Sequence, residues 1–294
     1  MKTYNLSWGN HSLDLGKQTR IIGILNVTPD SFSDGGKFFT FDKAVVQGEK
    51  LCEEGADVLD IGGESTRPFS DPVSIEEEIQ RVVPVIAKLA ARVSIPISID
   101  TTKAEVARRA LDAGASIIND VTALRFDTGM AALAAEYGVP IILMHMLGTP
   151  KTMQAAPAYD DLLGEIKGFL ETAIDRAVKK GISRSKIIID PGIGFGKTRE
   201  HNLALIRHLG EFKTLDVPIL IGPSRKAFIR NILKDKTAAD IQADMPEVET
   251  GTQAAVAASV LNGAHMVRVH NVGNTRTTLK IIDAIKNAST DFPP

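Results

Sequence analysis

The sequence predicts an α/β chain, a single (β/α)8 TIM barrel with a short N-terminal hairpin, and three observations predict it. Short β-branched runs alternate with longer amphipathic stretches from one end to the other, the mark of βα units and a mainly parallel sheet. Eight such runs are present, at 21–26, 58–61, 96–100, 116–120, 140–144, 186–190, 218–222 and 266–270. The 294 residues suit eight units, which need ~250 residues. A doubly wound open sheet would need only six or so of these strands and would leave two runs unexplained.

Each element has its own reason. Residues 4–15 read as a hairpin with its turn at Gly9-Asn10, placed where a barrel is often closed at its bottom, so 1–19 form an extension. Most of the eight runs are continuously apolar rather than alternating, as in strands buried on both faces. Helical patterns occupy 41–54, 75–91, 103–113, 159–180 and 250–261. Four of the following strands open on glycine, in GADVLDI, GASIIND, GVPIILM and GAHMVRV, and glycine adopts the left-handed geometry that ends a helix. Residues 234–248 read as a polar excursion. No Pro/Ser-rich linker interrupts the chain, and 1–294 read as one domain.

Composition excludes several function classes. The 34 basic and 36 acidic residues leave a net charge of −2, which argues against nucleic acid and against a polybasic membrane surface. No apolar run reaches the ~18 to 20 residues of a membrane span, and MKTYNLSWGN lacks the apolar core of a signal peptide, so a cytoplasmic location is expected. One cysteine, Cys52, excludes an internal disulfide framework and a cysteine-based zinc cluster; in KLCEEG it reads as a small buried apolar residue.

In such barrels the active site lies on the carboxyl ends of the strands, and here those ends are polar. They carry Asn26, Asp60, Asp100-Thr101, Asn119-Asp120, Met144-His145 and Asp190; Lys226 follows run seven, and Arg268 and His270 share one face of run eight. Any one Asp after a strand reads most simply as a helix N-cap. Eight polar ends together suit a small ligand that is part anion and part hydrogen-bonding ring. The segment GIGFGKT resembles a phosphate-binding loop but fails its pattern, because Pro191 stands where glycine is required. It reads as a tight turn that brings backbone close to a ligand, with Phe195 as a loop anchor or as an apolar wall for a bound ring.

NVTPDSFSDGG at 26–36, GGESTRP at 62–68, IDT at 99–101, NDV at 119–121, DPGIGFGK at 190–197, GPSRK at 222–226 and RVHNV at 268–272 resemble the dihydropteroate synthases. The resemblance runs in order from about residue 20 to the C-terminus. It implies a single pterin-binding barrel that joins p-aminobenzoate to 6-hydroxymethyl-7,8-dihydropterin pyrophosphate, releasing pyrophosphate in folate biosynthesis. By resemblance Asp100, Asn119 and Asp190 would hydrogen-bond the pterin, Lys226 would donate to its carbonyl region, Met144 would pack on the ring and Arg268 would stack on its face. Asp100, Lys226 and Arg268 would be the catalytic residues. Asn26 would be a ligand to Mg2+, with Thr66, Arg67, Arg268 and His270 on the pyrophosphate. Phe32, Asp34, Thr66, Arg67, Pro68 and Phe195 would form the p-aminobenzoate site. The loops at 28–36 and 63–68 would close over the arylamine after pyrophosphate is bound. The family also implies a homodimer and competition by sulfonamides. Ile193 and Asn271 depart from residues common in the family, and Ile193 bears on the arylamine pocket.

An arylamine is already a nucleophile at neutral pH, which accounts for the lack of a Ser-His-Asp or Cys-His arrangement in the sequence. Loss of pyrophosphate by an SN1-like path is then the step to be catalysed, with cations on the leaving group and Asp100 near the developing positive charge. One rival is a methyltetrahydrofolate-corrinoid methyltransferase of the same barrel class, which has no use for a pyrophosphate site. Others are a Schiff-base aldolase on Lys226 and a non-catalytic barrel. His11, His201 and His208 read as surface or structural residues, His145 as a packed barrel residue, and the glutamates at 76–78 as a solvated helix start that favours the helix dipole.

Overall fold

The computed structural model describes residues 2–28, 37–65, 71–234 and 241–288, with side chains left out at 37–40. The first two strands, β1 (Tyr4–Trp8) and β2 (His11–Leu15), pair antiparallel with Trp8 opposite His11. Gly9 takes φ +47°, the left-handed geometry that a two-residue hairpin turn needs. Leu6, Trp8, Leu13 and Leu15 are buried, the period-two pattern of a ribbon with one face on a core. The hairpin sits under the amino ends of the barrel strands, where Arg20 Nε donates to the Asp14 carbonyl (2.9 Å) and the His265 ring meets the Lys2 carbonyl.

Eight parallel strands follow: β3 (Arg20–Asn26), β4 (Val58–Gly62), β5 (Ile97–Asp100), β6 (Ile117–Asp120), β7 (Ile141–Met144), β8 (Ile187–Asp190), β9 (Leu220–Ile221) and β10 (Met266–Val269). Their spatial order is β8-β7-β6-β5-β4-β3-β10-β9, and the bridge between Ile189 and Ile219 joins the two outer strands. The (β/α)8 barrel expected from the sequence is therefore present, nearly closed. Ile22, Leu59, Ile99, Ile118, Ile142, Ile188 and Val267 are fully buried, as strands sandwiched between a filled interior and a helical shell must be.

The shell consists of α1 (Lys37–Glu53), α2 (Ile75–Ala90), α3 (Ala104–Asp112), α4 (Met130–Tyr137), α5 (Leu162–Lys179), α6 (Arg199–Arg207), α7 (Ala227–Leu233), α8 (Pro246–Leu261) and α9 (Val272–Lys286). Two details depart from expectation. The excursion at 234–248 is already helical by Pro246, because proline is pre-set for the first turn of α8. Of the glutamates expected to be solvated, Glu76 and Glu77 are exposed but Glu78 is completely buried. Helical spacing puts it on the inward face of α2 with Val82, Val85, Ile86 and Leu89. There Lys103 Nζ bridges Glu78 Oε2 and Glu64 Oε2, each at 2.5 Å. Cys52 is a free thiol, half-buried, and burial beside Glu49 and Glu53 pushes it up to about 11, so it is inert at neutral pH.

Candidate active site

Parallel pairing brings the strand ends level. Asn26 lies opposite Gly62, Gly62 opposite Asp100, Asp100 opposite Asn119, and Met144 opposite Asp190. Strands β3, β5, β6, β7 and β8 thus deliver an amide, a carboxylate, an amide, a thioether and a carboxylate to one mouth.

Arg268 ties this mouth together from β10. Its Nε donates to Asp60 Oδ2 (2.6 Å) and its Nη2 to Asp100 Oδ2 (2.8 Å), while Asn119 Nδ2 donates to the same Asp60 oxygen (3.0 Å). These bonds fix orientations that matter for a ligand. With its amide nitrogen committed to Asp60, Asn119 presents its carbonyl oxygen outward, and Arg268 keeps Nη1 and its planar face. Asp60 Oδ1 and Asp100 Oδ1 are buried with no hydrogen-bond partner. A buried acceptor left unmade is costly, so the pair calls for a ligand rich in N–H donors. Burial raises Asp100 well above the ordinary carboxylate range, Asp60, Glu78 and Asp120 add to the rise, and Arg268 opposes it. Burial works against the Arg268 charge too, but Asp60 and Asp100 outweigh it and hold the guanidinium charged.

On the other side of the mouth Asp190 is 5% exposed; its Oδ1 accepts from the Gly192 N–H (2.7 Å). Burial pushes it up to about 6, against that hydrogen bond and the positive charges of Lys226, Lys197 and Arg268. Lys226 caps α7, and its Nζ stands 4.0 Å from the centre of the Phe195 ring, a cation–π contact. Its place at the head of a helix, not within a strand, disfavours the aldolase reading. Met144 belongs to a small apolar cluster with Val121, Met146 and Met153, against which Phe195 packs. One side of the mouth is therefore the Asp60–Asp100–Arg268 cluster, and the other sets Asp190 and Lys226 beside a surface for a flat ring.

The turn at 191–197 owes its glycines to neighbouring protein. Gly192 has φ +75°, and a Cβ there would come within 2.0 Å of the His145 carbonyl; at Gly196 a Cβ would stand 2.5 Å from that of Leu147. The loop is pressed onto the chain leaving β7, and that contact is what requires glycine at 192 and 196.

Asn26 ends β3 half-exposed, and its side-chain amide has no hydrogen bond among the described residues. His270 follows β10, with Nδ1 2.9 Å from Ser224 Oγ. Phe32, Asp34, Thr66, Arg67 and Pro68 lie outside the described residues. Among the described residues no group of three or more His, Cys, Asp or Glu could hold a metal ion. A lone amide oxygen fits a hard cation that keeps its waters and takes other ligands from phosphate, not one held by the protein alone.

Sequence reasoning counts Asp60 among the polar strand ends but gives it no role, and it gives Lys197 none. Asp60 lies two residues before the end of β4, although D-I-G-G-E marks a charge in an otherwise apolar run. Lys197 reads as the tail of a glycine-rich turn, yet it is only 3% exposed and bonds to His145. Burial and the charges of Lys197 and Arg125 drive His145 far below its usual range, so it is neutral. That agrees with its reading as a packed residue.

The family model of pterin binding enzymes matches residues 22–270. A dihydropteroate synthase of Synechocystis sp. is 46% identical over 277 residues, covering 94% of this chain and 93% of that protein. That of Escherichia coli K12 is 43% identical over 277 residues, covering 94% and 95%. Among solved structures, Xanthomonas albilineans dihydropteroate synthase with 4-aminobenzoic acid superposes with a TM-score of 0.88 at 42% identity, covering 98% of this chain and 100% of that one. The Yersinia pestis enzyme with a sulfonamide drug gives 0.88 at 40% identity, covering 97% and 100%. The Xanthomonas enzyme in complex with 7,8-dihydropteroate gives 0.85 at 40% identity, again over 97% and 100%.

Proposed function

The chain belongs to the dihydropteroate synthase family of pterin-binding enzymes, and on that premise we propose that its barrel mouth joins 6-hydroxymethyl-7,8-dihydropterin pyrophosphate to p-aminobenzoate, giving 7,8-dihydropteroate and pyrophosphate. The observation that carries this reading is the acceptor-rich pocket: two buried carboxylate oxygens without protein partners, beside Asp190 and the outward carbonyl of Asn119. The amino and N–H groups along one edge of a pterin are the donors such a pocket lacks. The other pterin-barrel reading, methyl transfer to a corrinoid, has no feature in its favour here.

In this account Asp190, Asn119 and Asp100 read the pterin edge, and Lys226 donates to its carbonyl side. Met144 packs on the ring, with the free face of Arg268 stacked opposite. When present, Mg2+ would neutralise charge on the departing pyrophosphate, with Asn26 among its ligands and phosphate supplying others. Arg268 and His270 hold the pyrophosphate, and Thr66 and Arg67 are assigned to the same task by their place in the GGESTRP segment. Loss of that anion leaves positive charge on the pterin methylene, which Asp100, ionised and paired with Arg268, would stabilise, the developing charge itself favouring its anionic form. The arylamine then attacks without needing a base to activate it, forming the C–N bond, and its surplus proton passes to solvent or to the departed pyrophosphate. Its site is assigned to Phe195 and to Phe32, Asp34, Thr66, Arg67 and Pro68. Sulfonamides, which copy the arylamine, would compete there. We also assign the chain to the cytoplasm as a homodimer; no helix among the described residues is long and apolar enough to cross a membrane.

The test is to mix the purified protein with both substrates and Mg2+. Dihydropteroate and pyrophosphate should appear in equal amounts, and a chelator should stop the reaction while leaving the fold intact. No product, together with methyl transfer from methyltetrahydrofolate to a corrinoid, would hand the site to the rival. Full turnover in excess chelator would remove Asn26 from its metal role.

A further inference from the structure

Lys197 is a buried cation that the scheme above does not use. Its Nζ lies 2.9 Å from His145 Nδ1 and 3.0 Å from the Phe195 carbonyl oxygen. As an ammonium Lys197 donates to both, an arrangement that requires the neutral imidazole to carry its proton on Nε2. His145 is itself 4% exposed and is held edge-on by Phe169, with ring centres 4.8 Å apart. The rest of the turn is tied just as closely. Gln154 donates to the Gly194 carbonyl (2.6 Å), the Gly194 N–H donates to Asn202 Oδ1 (2.7 Å), and the Tyr159 hydroxyl donates to the Gly196 carbonyl (2.8 Å).

A buried ammonium is a poor way to gain stability, because desolvation offsets most of what its hydrogen bonds return. Burial does push Lys197 down to about 7, with Lys226 acting the same way and Asp190 against it. What the ammonium supplies is geometry. It pins the main chain of Phe195, whose ring lies under Lys226 and beside the Met144 cluster. We propose that Lys197 is a positioning residue for the arylamine substrate: from its enclosed seat it ties the Phe195 carbonyl to the His145 ring and so fixes the ring face that the second substrate meets. This rests on the reading of Phe195 as a wall of the p-aminobenzoate site.

The test uses Lys197→Met, His145→Leu and His145→Gln in the full chain, with steady-state kinetics in each substrate, calorimetric binding of the pterin pyrophosphate, and thermal melts. Lys197→Met and His145→Leu should raise the KM for p-aminobenzoate roughly 10- to 100-fold, the scale of a small misplacement of a binding surface. In His145→Leu, which keeps the Lys197 charge near Asp190, the pterin pyrophosphate dissociation constant should stay within about twofold. His145→Gln keeps an oxygen for Lys197 and should recover most of the KM. An unchanged arylamine KM, an equal weakening of pterin pyrophosphate binding in His145→Leu, or a His145→Gln as impaired as His145→Leu would overturn the proposal. Should Lys197→Met fail to fold, the two His145 variants decide. Failure of the underlying function reads differently, because the unaltered chain would then make no dihydropteroate at all.

Discussion

Asp60 shows how a single carboxylate can organise a site it does not itself advertise. Its Oδ2 receives both Asn119 Nδ2 and Arg268 Nε, so its loss would leave two buried donors unpaired and free to turn. Asp60→Leu should therefore cost about 2 to 4 kcal/mol of pterin pyrophosphate binding, although the residue needs no contact with the pyrophosphate; titration calorimetry checks it. The titration of Asp190 gives a second prediction. With its carboxyl raised to about 6, the anionic form that accepts the pterin donors is lost as pH falls through that value. The kcat/KM for the pterin substrate should then drop, approaching tenfold per unit at lower pH. Stability moves the other way. Unfolded, the same group titrates near ~3.9, so between about pH 6 and 4 the folded chain holds a proton that the unfolded chain releases, and this group adds stability as pH falls. A melt at pH 5 separates loss of activity from loss of fold. At this scale the sequence was most legible where a polar residue ends an apolar run, as at Asp100, Asn119 and Asp190. It was opaque at Lys197, whose burial depends on the packing of α5 and the β7 exit.

Elements act through their ends. The turn after β8 is held flat against the chain leaving β7, so Gly192→Ala must combine a positive φ with a Cβ driven into the His145 carbonyl. We expect a loss of roughly 2 to 4 kcal/mol in stability, seen as a lowered melting temperature. Behind β4 and β5, Lys103 is the shared partner of Glu64 and Glu78. Lys103→Met would strand the completely buried Glu78 and should cost about 3 to 5 kcal/mol, readable in a denaturant melt. Acidic residues at a helix start read as solvated because three in a row usually are; only the inward stripe of α2 reveals that the third is core. Of the helices named from the sequence, α2, α3 and α5 carry clear apolar stripes. Among those it did not name, α4 is nearly all alanine and apolar residues, so it lacks the contrast of faces on which a periodicity argument depends.

At the scale of the whole molecule, parallel strands in matched register send every strand end to the same mouth, so eight separate polar residues become one site. This convergence was legible from sequence because the strand runs and their polar ends recur eight times. The cross-mouth bonds from Arg268 to Asp60 and Asp100 were not, since they join residues 208 and 168 positions apart. The segments 29–36 and 66–70 lie outside the described residues, so the roles given to Phe32 and Pro68 rest on kinetics: Phe32→Ala or Pro68→Ala should raise the KM for p-aminobenzoate and leave pterin pyrophosphate binding nearly unchanged. The central claim is that the ring of carboxylates and amides at this mouth is what holds the pterin. Calorimetric titration of the pterin pyrophosphate, with Mg2+, into the unaltered chain and into Asp190→Ala tests it most directly. The account predicts a loss of ~2 to 4 kcal/mol in Asp190→Ala; equal affinity in the two proteins would contradict it and leave Asp190 as no more than the acceptor that shapes the turn at Gly192.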